Sequence, residues 1–340
     1  MKSKKIIALL LCVALCALTL VACSGSNSTD GDKAEGNKVL KIGVMQFGEF
    51  DALQSAYKGF VDGLKDAGYV EGENIKINYL SAAADTANCP TIADTLINDG
   101  SDLILAIATP SVAAIKEKTT TIPVLFTAVT DPVDSHIVAD YKVPGANISG
   151  TSDLNPVKEQ IDLLKEMFPD AKNVAVMYCS SETNSVAQYE LAKAQIEALG
   201  MTCVKKTISE IYEAKSAVES LQGQVDAIYI PTDNTIADSM TTVAQAAAGV
   251  KLPIICGEPG MVLNGGLATY GIDYYELGKQ TAKMAVEVLK SDKPLETIAN
   301  MPVGYQTEEC KYAFNTETAE AVGVTLPENL LSEAIVYPEK

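Results

Sequence analysis

The sequence predicts an α/β protein of two similar lobes, each a doubly wound, largely parallel sheet covered by helices, facing each other across a cleft. Three observations carry this. The 340 residues are 47% hydrophobic and 21% charged, long enough for two packed domains and too apolar for disorder. From near Val39, short apolar runs alternate with segments of helical period, the pattern of parallel βαβ units. The alternation breaks at Tyr141 to Asp153 and then starts again.

In the first half, Leu40 to Gln46 reads as a strand. Asp51 to Ala67 reads as a helix, with Leu53, Ala56, Phe60 and Leu64 on one face. Strands follow at Asn74 to Leu80, Leu103 to Ala108 and Pro123 to Phe126, and helices at Thr91 to Asn98 and Ser111 to Lys118. In the second half, Asn155-Pro156 is a helix start, with Asn155 as N-cap and Pro156 in the first turn. Val157, Gln160, Ile161, Leu164 and Phe168 form the buried face of that helix. Strands recur at Asn173 to Tyr178, Thr202 to Thr207, Ala227 to Ile230, Pro253 to Cys256 and Leu267 to Tyr270. Helices fill the gaps at Asn184 to Leu199, Ala214 to Leu221, Thr235 to Ala248 and Tyr274 to Leu289, and Asn264-Gly265-Gly266 reads as a hairpin-like turn.

Ahead of the fold lies an address. Lys2, Lys4 and Lys5 precede the apolar run Ile6 to Leu20, and Leu20-Val-Ala-Cys23 closes it with small residues before a cysteine. This resembles a bacterial lipoprotein signal, which implies residues 1–22 as signal peptide and Cys23 as the lipidated N-terminus, anchored on the outer side of the cell membrane. An uncleaved anchor is the alternative, though the run is short for a spanning helix. Ser24 to Lys38 is rich in Ser, Gly, Asn and Asp and reads as a flexible tether, so that 23–38 is lipid attachment and linker.

Composition excludes several chemistries. All 26 basic residues are lysine, His136 is the one histidine, and tryptophan is absent. A multi-histidine metal site cannot be built, a histidine-based triad would have to use His136, and no guanidinium fork exists to grip a carboxylate or phosphate. The net charge of −18 repels nucleic acid. Beyond the leader, Cys89, Cys179, Cys203, Cys256 and Cys310 are odd in number and include no CxxC pair. Cys179, Cys203 and Cys256 fall in or at the ends of strand-like runs, where buried free thiols are expected. No metal and no cofactor is expected.

Ligands of open α/β sheets collect at the carboxyl ends of strands, and here polar loops follow four strands. In the first half these are Thr109-Pro110-Ser111 and Thr127-Ala-Val-Thr130-Asp131-Pro132; in the second, Ser180 to Ser185 and Pro231-Thr232-Asp233-Asn234-Thr235. Each loop could simply cap the helix it opens. Together they put hydroxyls on one lobe and carboxylates on the other, which suits a zwitterion. Thr109, Ser111 and Thr130 would hold a carboxylate, and Asp233 or Glu182 an ammonium. Phe47, Phe50, Phe126, Tyr178 and Tyr270 lie near strand ends and either wall the pocket or fill the core.

Gly59-Phe60, Asp102-Leu-Ile-Leu-Ala-Ile-Ala-Thr109-Pro110, Thr130-Asp131-Pro132, Ser181-Glu182-Thr183-Asn184-Ser185, Pro231 to Thr235 and Asp273-Tyr274-Tyr275-Glu276-Leu277-Gly278 resemble the solute-binding lipoproteins of ABC transporters for tryptophan or tyrosine uptake. The resemblance covers nearly all of Lys41 to Pro338. One departure is Gly48-Glu49-Phe50-Asp51-Ala52-Leu53-Gln54, where such proteins often carry His-Pro and an acidic residue. The family implies a type I periplasmic-binding fold of two Rossmann-like lobes joined by a hinge with three crossovers. Residues 39–152 plus about 273–299 would form the first lobe, and 153–272 plus about 300–340 the second. It implies an extracytoplasmic receptor without catalysis, binding an aromatic or branched amino acid in the cleft and delivering it to an ABC permease and its ATPase. A monomer is expected. The expected ligand contacts are Gln46, Thr109, Ser111, Thr130 and Asp131 on the first lobe, Ser181, Glu182, Asn184, Asp233 and Asn234 on the second, and Asp273 at a crossover. A sensory ligand-binding protein and a secreted hydrolase using Glu182 and Asp233 are the alternatives.

Overall fold

Apolar runs too short for a helix become strands, the central ones buried on both faces, and a computed structural model of the chain arranges them in two sheets. It describes residues 38–305 and 310–338; the leader, Cys23 and nearly all of the tether lie outside the described residues. The first lobe opens with β1 (Leu40–Gln46), α1 (Asp51–Asp66), β2 (Ile75–Ser81), α2 (Cys89–Asn98), β3 (Leu103–Ile107), α3 (Thr109–Lys116), β4 (Val124–Val129) and β5 (Ile148–Ser152). The second continues with α4 (Val157–Met167), β6 (Asn173–Cys179), α5 (Thr183–Ala198), β7 (Thr202–Ile208), α6 (Ala214–Glu219) and β8 (Ala227–Ile230). Then come α7 (Asn234–Ala237), α8 (Met240–Gly249), β9 (Ile254–Cys256), α9 (Pro259–Leu263) and β10 (Ala268–Gly271). The chain returns to the first lobe for α10 (Tyr274–Lys290), α11 (Pro294–Ala299) and β11 (Gly304–Tyr305). It ends in the second with β12 (Lys311–Asn315), α12 (Thr316–Val322), α13 (Glu328–Leu331) and β13 (Ile335–Tyr337).

The first sheet runs β11-β5-β4-β3-β1-β2 and the second β13-β12-β10-β9-β8-β6-β7, all neighbours parallel except β10 with β12. Both lobes therefore contain the same doubly wound order, β2-β1-β3-β4-β5 and β7-β6-β8-β9-β10. Each has its switch point where β1 meets β3 or β6 meets β8.

One core cluster fills the first lobe and two clusters lie in the second. In the first lobe α1 and α10 cross at glycines. A Cβ at Gly59 would strike the Tyr275 carbonyl oxygen, and one at Gly278 the Ala56 carbonyl oxygen, so only hydrogen fits at either place.

Most elements stand where the sequence places them; the exceptions have local causes. The break at Tyr141 to Asp153 contains β5, a strand with no bulky alternation (ISGTS), which is buried at every position by its sheet partners and helices. Asn155 is not an N-cap: Pro156 holds that position, and the Asn155 side chain bonds to both crossovers instead. The Thr235 to Ala248 segment divides into α7 and α8. Asn264 to Gly266 is the C-terminal turn of α9, not a hairpin, since β9 and β10 are parallel. The third crossing falls after Tyr305 rather than near 300, because β11 pairs with β5 and Ile298, Met301 and Val303 enter the first core. Cys203 is half-buried because β7 is an edge strand, and all five described cysteines are free thiols.

Candidate functional site

On the first lobe, the carboxyl ends of β3 and β4 lie side by side. Ala108 (φ 77°, ψ 155°) and Ala128 (φ 55°) occupy left-handed backbone there, costly for residues with a Cβ. The Ala108 turn starts α3 at Thr109, which with Thr130 faces the space between the lobes. Ser111, two residues on, is wholly buried, and its hydroxyl has no hydrogen-bond partner among the described residues. It does not line the cavity described below. Gln46 is equally buried: its Nε2 donates to the Gly48 carbonyl, and Oε1 is unpartnered. Asp131 caps the turn after β4, accepting from the Val133 and Asp134 amides.

The second lobe uses up the two acids expected to meet an ammonium. Glu182 accepts from the backbone and side-chain nitrogens of Asn234, from the amide and hydroxyl of Thr235, and from Asn184 Nδ2. Asp233 accepts from Cys179 N and Ser185 Oγ on Oδ2, each at 2.7 Å, and from Ile236 N on Oδ1 as the N-cap of α7. Burial, and then the Glu182 charge, pushes the Asp233 carboxyl above its ordinary pKa. Asn184 and Asn234 stand on the cavity wall, oriented by Glu182. Ser181 is exposed and bonded to Cys179 Sγ, at the rim.

Residues of the crossovers complete the site. Asp153, in the first, has its Oδ2 held by the Tyr274 hydroxyl at 2.8 Å; its Oδ1 is buried without a hydrogen-bond partner. Asn155 donates to the same hydroxyl and accepts from the Ile272 amide, so the first two crossovers are stitched together. Burial raises the Asp153 pKa to about 6, against the pull of the Tyr274 and Thr130 hydroxyls. Glu258, also buried, caps α9 through Gly260 N and Met261 N. Desolvation raises its pKa to about 7, the charges of Asp51 and Asp153 adding to the shift. Asp273 caps α10, accepting from the Tyr275 and Glu276 amides, and borders a separate pocket of about 210 Å³ on the crossover side.

Thr109, Thr130 and Phe50 of the first lobe, Thr232 and Asn234 of the second, and Asp153 enclose a cavity between the lobes. Its free space is about 10 Å³, room for one water. Three buried carboxylates (Asp153, Asp233 and Glu258) stand on its wall, and no lysine does. Outside it, Thr109, Glu182 and Asn184 also border a groove of about 730 Å³ between the lobes. The lobes touch at Asn264 Nδ2 with Asp51 Oδ2, and Ser135 Oγ lies 3.4 Å from Thr183 Oγ1. Of the aromatics at strand ends, Phe50 reaches the cavity and Phe47 the groove. Phe126 and Tyr178 are core, and Tyr270 packs on Tyr312. No cluster of potential metal ligands occurs among the described residues.

Sequence reasoning missed Asp153, Thr232, Glu258 and Tyr274 as wall residues. Thr232 lay in a loop already singled out, and its hydroxyl is buried and unpartnered. Asp153 carries no local signal beyond its place at the end of the break in the alternation, and Tyr274 none beyond its place in the Asp273 to Gly278 motif at a helix start.

A family model described as ABC transporter substrate binding protein matches residues 41–337. The chain is 38% identical over 325 residues to the tyrosine-binding protein of Clostridioides difficile (strain R20291), covering 94% of this chain and 93% of that one. Its fold matches that of a Streptococcus pneumoniae ABC domain in complex with L-Trp, with a TM-score of 0.83 and 38% identity over 88% of this chain and 99% of the other. Against the ligand-free, open structure of a Clostridium difficile substrate-binding protein with adhesive properties, the TM-score is 0.68. The identity there is again 38%, over 89% of this chain and all of the other.

Proposed function

Because the chain belongs to the ABC transporter substrate-binding protein family, whose members are extracytoplasmic solute binders and not enzymes, we propose that it serves an importer as receptor for an aromatic amino acid of the tyrosine or tryptophan kind. The observation that carries the reading is the wall of the interlobe cavity. It combines hydroxyls at strand ends with buried carboxylates and has no basic side chain, a lining suited to a small zwitterion with an ammonium group. The relatives named for tyrosine and solved with L-Trp support the aromatic class.

The ligand's carboxylate meets Thr109 at the start of α3, where an anion is favoured by the helix N-terminus, and Thr130 just after β4. Thr232 and Asn234 approach from the second lobe, Asn184 beside them, and Phe50 offers the ring that stacks on an aromatic side chain. The present free space admits no amino acid, so binding requires the lobes to part and re-close. The higher TM-score to the L-Trp complex than to the open relative, at equal identity, fits a closed arrangement. Closure around ligand would present a surface to the permease, and lipidation at Cys23 would hold the protein at the membrane.

The test is mass spectrometry of the small molecule that co-purifies with the protein, followed by calorimetric titration with L-tyrosine, L-tryptophan and L-leucine. Tight binding of an aromatic amino acid is expected; preference for L-leucine, or for a sugar recovered by mass spectrometry, overturns the reading. Labelling with a radioactive fatty acid, lost in Cys23→Ala, tests the anchor.

A further inference from the structure

We propose that Asp153, and neither Asp233 nor Glu182, receives the ammonium of the bound amino acid, through its unpartnered Oδ1. The proposal rests on the amino-acid reading above and specifies its charged subsite. Asp233 already accepts three hydrogen bonds from the second lobe, and Glu182 accepts five, so neither carboxylate is left to meet a ligand. Glu258 is likewise committed to the first amides of α9. Asp153 differs: it is 3% exposed, lines the cavity, and spends one oxygen on Tyr274, while Oδ1 makes no hydrogen bond among the described residues and has only the neutral Thr130 hydroxyl nearby to favour its charged form.

A buried carboxylate oxygen without a donor is costly unless something supplies one. A neutral donor would satisfy the oxygen but not the charge. With Glu258 and Asp233 on the same wall and no lysine there, an ammonium answers both needs at once. The position also suits closure. Asp153 follows β5 directly and is tied to Tyr274 at the second crossover, so a ligand held there grips the segments that must bend when the lobes move.

The experiment titrates the full-length protein and Asp153→Asn with L-tyrosine and with 3-(4-hydroxyphenyl)propionate, which keeps the ring and carboxylate but has no amine. Wild type is expected to prefer L-tyrosine by about ten- to a hundred-fold, and the variant to lose that preference through weaker L-tyrosine binding. A variant that keeps the wild-type preference overturns the assignment while leaving the amino-acid reading intact. Wild type that binds neither L-tyrosine nor L-tryptophan overturns both. If Asp153→Asn does not fold, as judged by circular dichroism, Asp153→Ser keeps an acceptor for Tyr274 without the charge and is read by the same two criteria.

Discussion

The Tyr274 hydroxyl donates to Asp153 Oδ2 at 2.8 Å, joining the first and second crossovers at the edge of the interlobe cavity. Both residues are buried. Tyr274→Phe removes the hydrogen bond to the buried Asp153 carboxylate and the one accepted from Asn155, and leaves packing unchanged. It is expected to lower unfolding free energy by about 1–3 kcal/mol in urea titrations at pH 7.5. The same change should raise the Asp153 pKa further, because that hydroxyl now opposes the effect of burial.

Stability without ligand is expected to fall as pH rises from about 4 to 7. Asp153 and Glu258 have folded pKa values raised to about 6 and about 7. Unfolded, both titrate near 4. Their contribution is fully present below about pH 4 and is lost as pH rises through the folded values, since the native state there holds more protons than the unfolded one. Asp226, kept low by the Asn173 and Lys172 amides, works in the opposite direction. Unfolding free energies from urea titrations at pH 5.5 and 8 should differ by about 1–3 kcal/mol in favour of pH 5.5. A midpoint that rises toward pH 8 would contradict the raised values.

The crossing of α1 and α10 depends on having no side chain at Gly278. Gly278→Ala forces a methyl against the Ala56 carbonyl and is expected to cost about 1–3 kcal/mol. Gly249→Ala is the control: it lies at the end of α8 with open space around it, so its urea midpoint should stay level or rise.

Asp233 holds the second lobe together by joining the end of β6, the start of α5 and α7. Asp233→Ala strips three donors of their acceptor and should cost about 2–4 kcal/mol. Asp233→Asn, which keeps the cap but cannot accept at every contact, should cost less. With the second lobe folded, the preference for L-tyrosine over its amine-free analogue should survive Asp233→Asn; loss of that preference would return the ammonium to Asp233.

Asn264, at the C-terminal end of α9, reaches Asp51 on α1, a bond between the lobes beside the cavity. Asn264→Ala should shift the ligand-free protein toward separated lobes, seen as a larger radius of gyration by X-ray scattering. Ligand affinity should fall about five-fold, the equivalent of one partly exposed hydrogen bond. An unchanged radius and affinity would mean that the contact does not bias closure.

Most strands and helices up to Leu289, the division into two lobes and the polar loops at strand ends were legible in the sequence, whereas β5, α9 and the elements after α10 were not, being short or without a regular apolar period. The legible elements follow from periods and caps within a few residues of each other, as in the apolar run of β3 followed by Thr109-Pro110. The sequence by itself also excluded arginine-based recognition and multi-histidine metal sites, because composition alone decides those. Which carboxylate keeps an uncommitted oxygen depends on contacts between distant segments. Asp233 and Glu182 look available in sequence, yet their donors include Cys179, 54 residues from Asp233, and Thr235, 53 from Glu182. Asp153 looks like the end of a loop, and its partner Tyr274 is 121 residues away. A side chain's chemistry is local, but whether its oxygens are already spent depends on which distant segments the sheets bring beside it, and no period or cap encodes that.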